Sequence, residues 1–376
     1  MRVLVTDGAN RVALAVVRAL GRAGAEVWVA EQEPFAKATP AAFVSRYASR
    51  HELLPPLEEE DRFIGALAEL ARGADVLLPV STNVLLACAR NLERLPARVP
   101  IPPLAAIRRA NDKSTVLAAA RKAGVPIPVS YAPESDEELD EVIARLALPA
   151  VVKLRDDEGT YLEPGDRYRL AHTGVGVRSA WKELHGIRPF PVIQERVEGD
   201  GYGVGVLARE GRVLASFCHR RVREYPLSGG PSAFCESVKD ARLAGYAEAV
   251  IRELRWTGVA MVEFKKGDDY RLLELNPRFW GSLPLATACG VNFPDLLCRM
   301  ALGEEPAGPA DYPAGRKLRF LPMDLAAAWS ALRGGRRRWA YLWGFARDLL
   351  DFGVKDGLLD AGDLKASLVY LSNRLS

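Results

Sequence analysis

The chain has 376 residues, 49% of them hydrophobic and 26% charged, enough apolar content to bury a core in more than one domain. Its 51 basic against 48 acidic residues leave a balance of +3, too weak a field to hold nucleic acid or an anionic membrane, so any phosphate site must be local. Cys88, Cys218, Cys235, Cys289 and Cys298 lack CxxC spacing, which argues against structural zinc and fits a reducing compartment; with no signal-peptide pattern and no run of about 18 apolar residues, the expected location is the cytoplasm.

In chain order the first elements make a βαβ opening. RVLVT at 2–6 is followed by the turn DGAN, a periodic stretch from Arg11 to Ala23, Gly24, and the run EVWVAE ending at Glu31. ADVLLPVST, 74–82, repeats a buried strand that ends in small polar residues, as at the carboxyl edge of a parallel sheet; Ser81, Thr82 and Asn83 there are candidates for specificity. Residues 1–105 therefore read as a doubly wound α/β domain. The turn offers only Gly8 where G-x-G-x-x-G is needed, so a nicotinamide cofactor and an oxidoreductase are disfavoured, and Glu31 reads as a strand terminus rather than a ribose ligand.

Residues 98–110 are rich in proline and read as a linker, after which a helix starts at Asn111 or Asp112 and stops at Gly124. LPAVVKLRDDEG (148–159) is a buried strand delivering Lys153 and Arg155, PFPVIQERVEG (189–199) is a strand ending on Gln194 and Glu195, and a hairpin turns around Glu210 and Gly211. A helix over 240–255 leads to two strands joined at Gly267–Asp269, and from about 316 the pattern is helical with a break at 353–360. Residues 329–345, WSALRGGRRRWAYLWGF, hold three tryptophans beside Arg336–Arg338. The expectation is a helix that packs its tryptophans on the large domain with arginines in solvent, in preference to membrane docking, with a homodimer contact as a further option.

The hairpin over 258–282 carries the chemistry. In LLELNPRFWGS, period-two alternation sets Glu274, Asn276 and Arg278 on one side and Leu273 and Leu275 on the other, while the preceding strand holds Glu263 among Met261, Val262 and Phe264. A turn centred on Asp268 and Asp269 sets Glu263 opposite Glu274; a four-residue loop shifts the pair along the same face, and a three-residue loop breaks the match. Two adjacent carboxylates repel unless one is protonated or a cation lies between them. Magnesium suits two acids and an amide oxygen, and the lack of histidine and cysteine argues against zinc.

An acid followed on the neighbouring strand by E-x-N-P-R, with an upstream lysine strand and a Q-E strand end, resembles the ATP-grasp superfamily over about residues 1–310, most of all its carbamoyl-phosphate-synthase-like carboxylate-amine ligases. The resemblance implies a Rossmann-like domain (1–105), a linker helix and small lobe (106–200) and a large lobe with the metal site (201–312); the helical pattern adds a helical C-terminal extension (313–376). It implies ATP with one or two Mg²⁺ ions, or Mn²⁺, as cofactors, held through Glu263, Glu274 and Asn276. Lys113 and Lys153 would contact the nucleotide phosphates, with Arg155 sharing that work. Glu195, Arg196 and Val197 would recognise adenine and Asp200, or else Glu198, the ribose. Arg278 would steady the acyl phosphate, and Arg220, Arg221, Arg223, Ser228, Gly229, Gly230 and Ser232 would line the substrate chamber. On its own sequence context Lys113 also reads as a solvated surface lysine, SGGPS (228–232) as a turn, and His219 as a packing residue.

The function so implied is an ATP-dependent ligase that activates a small carboxylate as an acyl phosphate and joins it to an amine. The alternatives are an enzyme of the same fold that passes an acyl or carbamoyl phosphate to another acceptor, an NAD-dependent oxidoreductase, and a non-catalytic nucleotide-binding protein.

Overall fold

The computed structural model describes residues 1–162, 164–227, 229–333, 338–351 and 353–375. Strands β1 (Arg2–Val5), β2 (Glu26–Gln32), β3 (Ala48–Leu54) and β4 (Val76–Leu78) form a parallel sheet in the order β3-β2-β1-β4. Helix α1 (Arg11–Arg22) covers one face, against Val3, Val5, Val27 and Val29; α2 (Glu60–Ala71) and α3 (Thr82–Arg90) cover the other, against Leu4, Trp28 and Leu77. The strands alternate between two apolar layers, as strands buried on both faces must. The caps come from short polar side chains in the βα loops: Asn10 accepts from Val12 N and Ser81 from Val84 N. Gly8 is needed for packing, since a Cβ there would stand 2.8 Å from Val29 Cγ1.

The proline-rich stretch is more ordered than a linker. Pro103 sets up α4 (Leu104–Asn111), whose Ile107 and Ala110 are buried, and Asp112 rather than Asn111 caps α5 (Lys113–Lys122). A four-stranded antiparallel sheet follows in the order β5-β8-β6-β7, built from β5 (Ser130–Tyr131), β6 (Ala150–Lys153), β7 (Tyr168–Ala171) and β8 (Val192–Glu195). It is packed on α6 (Asp136–Arg145) and α7 (Gly174–His185) through Leu139, Val177 and Trp181.

The third sheet has seven strands in the order β13-β12-β9-β10-β11-β14-β15. The first five in chain order are β9 (Asp200–Arg209), β10 (Arg212–Glu224), β11 (Ser232–Val238), β12 (Gly258–Lys266) and β13 (Tyr270–Asn276). One face packs on α5 and α8 (Ala241–Glu253); the other meets α1, α9 (Leu283–Ala288) and α10 (Phe293–Ala301). Here the expectation of a purely helical extension after 312 is corrected. Strand β14 (Lys317–Arg319) pairs with β11 and β15 (Lys355–Asp356) pairs with β14, so the sheet crosses that boundary. The reason is that β11 would otherwise present an unpaired edge. Helices α11 (Leu321–Arg333), α12 (Arg338–Leu349) and α13 (Leu364–Leu375) complete the chain.

The aromatic segment also departs from expectation. Trp329, Trp339 and Trp343 are 58%, 70% and 76% exposed; what α11 and α12 bury is an ionic cluster, Arg223 with Asp324 and Asp348. Arg336 and Arg337 lie outside the described residues. At the opposite end, α13 docks on the first domain: buried Arg18 pairs with Asp363 at 2.9 Å, and Ser45 Oγ donates to the same carboxylate. No helix among the described residues is long and apolar enough to cross a membrane.

Candidate active site

The hairpin β12–β13 has the three-residue loop that ought to break the acid pair. Lys266 pairs with Tyr270 and Phe264 with Leu272, leaving residues 267–269 in the turn. A bulge then absorbs one residue, Leu273, and Glu263 comes to stand opposite Glu274. An extra residue offsets the slip of an odd loop because side-chain direction has period two.

Cations and an amide surround the pair. Arg221 on β10 lies 2.5 Å from Glu263 and Lys113, at the start of α5, 3.5 Å from Glu274. Asn276 Nδ2 donates to Glu263 at 3.0 Å and reaches Glu274 at 3.5 Å, and Arg278 donates to Asn276 Oδ1 at 3.4 Å. The two acids differ in character. Burial, with the charge of Glu274 adding to it, pushes Glu263 up against the pull of Arg221; Glu274, although buried, is held down to about 2 by Lys113, Lys153 and Arg221. Burial lowers Lys153 to about 8, with Glu274 opposing and Lys113 assisting. Arg221 stays charged despite burial because Glu263 and Glu224 face it.

The donor set fits magnesium. Glu263 and Glu274 are 13% and 27% exposed, both toward one cleft, and Asn276 turned about its amide presents a third oxygen. Two carboxylates and an amide leave the remaining octahedral positions to water and phosphate oxygens, the way this ion is commonly held. Among the described residues no group of three or more His, Cys, Asp or Glu side chains could hold a metal by itself.

These groups line a cleft of about 1010 Å³ between the lobes. It also takes in Lys153, Glu195, Arg196, Val197, Gly229, Gly230 and Ser232. Gly230 is required there, since a Cβ would meet Tyr225 O at 2.4 Å. The Glu195 carboxylate is already engaged, accepting from Arg271 at 2.7 Å and from Val129 N at 3.0 Å.

Other expected residues are not brought in. Arg155 is held by Asp112 at 2.5 Å and Glu134 at 3.0 Å, so its guanidinium is committed to the frame. Asp200 is an exposed partner of Arg220 at 3.3 Å, and neither it nor Glu198 lines the cleft. Arg220 also pairs with Glu236 at 2.7 Å. Arg223 leaves the file of Arg221 because the β10–β11 register shifts on both sides of it, and it is buried against Asp324 at 2.6 Å. Ser228 lies outside the described residues.

Sequence reasoning missed Glu224, Asp157 and Arg11, all of which line the cleft. Asp157 accepts from Arg167 at 3.0 Å and from Thr82 Oγ1 at 3.4 Å, and Thr82 in turn accepts from Arg278 Nε at 3.2 Å. That three-way contact joins the first domain to both lobes; its only sequence signal is the polar end of the fourth strand. His219 is a packing residue, its Nε2 2.9 Å from Ser282 Oγ and its ring lowered to about 3 by burial.

With the geometry in hand, comparison with known proteins gives a consistent picture. Residues 189–320 match the family described as ATP-grasp in the biosynthetic pathway with Ter operon. The carbamoyl phosphate synthase large chain of Rubrobacter xylanophilus is 25% identical over 287 residues, 71% of this chain but 26% of that one; the chain thus spans about a quarter of this relative's length. Among solved structures, the biotin carboxylase domain of Hydrogenobacter thermophilus 2-oxoglutarate carboxylase, in complex with MgADP, ADP and bicarbonate, superposes with a TM-score of 0.67. The identity is 17%, over 84% of this chain and 73% of that one. The L-amino acid ligase of Bacillus licheniformis superposes at 0.60 with 16% identity, over 80% and 74%. The chain has the ATP-grasp fold, and its residues 189–320 resemble an ATP-grasp family.

Proposed function

From the ATP-grasp fold as premise, we propose that the protein is an ATP-dependent ligase that activates a small carboxylic acid as its acyl phosphate and joins it to an amine. One observation carries the reading: the facing carboxylates of Glu263 and Glu274, with Asn276 beside them and Lys113, Lys153, Arg221 and Arg278 around them, in a cleft between two lobes. Two facing acids set among four cations suit a divalent ion that itself carries a polyphosphate.

Glu263, Glu274 and Asn276 would hold Mg²⁺, which when bound supplies charge neutralisation at the β- and γ-phosphate oxygens. Lys113 and Lys153 add fixed positive charge at the phosphates. A carboxylate oxygen attacks the γ-phosphorus, the bond to the β-phosphate oxygen breaks, and ADP leaves. The amine nitrogen then attacks the acyl carbon and loses a proton while the C–O bond to phosphate breaks. Arg278, which donates to Thr82 and Asn276, is assigned to the negative oxygen of the tetrahedral species formed by that attack. The lobes keep water from the acyl phosphate. Glu195, Arg196 and Val197 are assigned to adenine and the Gly229–Ser232 stretch to the substrate side.

The bicarbonate in the Hydrogenobacter complex favours a second reading, in which bicarbonate is the acid activated. Incubation with ATP, Mg²⁺ and pools of carboxylates and amines tests both. ADP and phosphate released only when an acid is present support the ligase, bicarbonate as sole activator supports the second reading, and no acid-dependent ADP overturns both. Glu274→Gln is expected to lower acid-dependent ADP formation about 100-fold or more and to raise the Mg²⁺ requirement.

A further inference from the structure

The cleft runs past the carboxylate pair to a wall built mostly from residues outside the matched stretch 189–320. Its wall there is apolar: Val12 of α1, Trp280, Met323 and Ala326 of α11, Leu358, and Tyr370 of α13. Trp280 is 0% exposed, Leu358 2%, and Val12 and Tyr370 7%. These side chains are thus fixed in the core with an edge on the cleft. The one acid of α11, Asp324, is turned away into its pair with Arg223. Arg11 marks the boundary, donating to Met323 Sδ at 3.0 Å with its guanidinium 4.5 Å over the Phe320 ring. The charges that line the cleft gather elsewhere, at the acid pair and on the small-lobe loop with Asp156, Asp157 and Asp166.

We propose that this wall binds the uncharged apolar body, aliphatic or aromatic, of the carboxylic acid that is activated, with its carboxylate toward Arg221 and Arg278. An ionised side chain placed deep against Trp280, Leu358 and Tyr370, past Arg11 at the rim, would lose hydration, whereas an apolar one gains by leaving water. Bicarbonate would leave the wall untouched. The fate of the carboxylate rests on the ligase reading; the binding does not.

Calorimetry of the full chain loaded with Mg²⁺ and a non-hydrolysable ATP analogue tests this, using 4-methylpentanoate against glutarate and phenylalanine against glutamate. The apolar acid of each pair is expected to bind about tenfold tighter or more, the scale of hydrophobic-pocket discrimination. Ala326→Trp, which fills the space, and Ala326→Glu, which charges it, should each weaken apolar-acid binding about tenfold, with nucleotide affinity and thermal midpoint kept. Preference for glutarate or glutamate, failure of any apolar acid to bind, or folded variants that bind apolar acids as the parent does would overturn the proposal. If apolar acids bind in this pattern but release no ADP with any amine, the wall stands and the ligase reading falls. If bicarbonate alone drives ADP release and no apolar acid binds, the wall falls and the second reading remains.

Discussion

Lys153 ends an apolar strand, and its burial moves the ammonium into the range where ordinary buffers titrate it. It is charged below about 8 and neutral above, so nucleotide affinity should fall as pH rises through that value. Titration with a fluorescent ATP analogue between about pH 7 and 9.5 checks this, and Lys153→Arg, whose guanidinium stays charged, should flatten the curve. Folding stability runs the other way. The folded group sits below its ordinary 10.5, so between 8 and 10.5 the unfolded chain binds more protons and stability gains with pH. Two neighbouring arginines divide between the cleft and the frame. Arg221→Met removes the partner of Glu263 in the cleft and should damage turnover, with a loss of stability from the carboxylate it leaves unpaired. Arg223→Met leaves Asp324 buried without its cation, while Asp348 keeps Lys317 and Arg347, and should cost about 3–5 kcal/mol in denaturant unfolding.

At the scale of elements, the strand-helix order, the acid pair and the Lys153 strand end were legible because hydrophobic period and turn residues are local properties. Strand irregularities were not. The bulge at Leu273 rescues the Glu263–Glu274 pairing from an odd loop, and the shifts around Arg223 turn it away from Arg221; both depend on which strand lies alongside. Strands β14 and β15 are too short for alternation to register, and they form because β11 has an edge to cover. The exposed face of Trp329 on α11 was misjudged because the buried ion cluster that replaces aromatic packing joins residues far apart in sequence. Docking of α13 has its own test. Asp363→Ala leaves Arg18 buried beside a lost partner and should cost about 3–5 kcal/mol, read as a lower denaturant midpoint.

Across the whole molecule, the segment after 312 belongs to the body of the protein. It supplies two strands to the seven-stranded sheet, an apolar wall to the cleft and a helix to the first domain. A chain cut after residue 312 should therefore expose the β11 edge and aggregate, seen as a shift to larger species than the parent in size-exclusion chromatography. Retention of the parental elution volume and melting profile would show that the segment is dispensable.

The contact between Arg18 and Asp363 also sets a clock. Its two residues are 345 positions apart, and at about 5–20 residues per second a ribosome needs roughly 20–70 s to deliver the second after the first. Through that interval the nascent first domain carries an arginine whose resting place does not yet exist. Early maturation of that domain during translation then depends on water, or a chaperone, to shelter the charge.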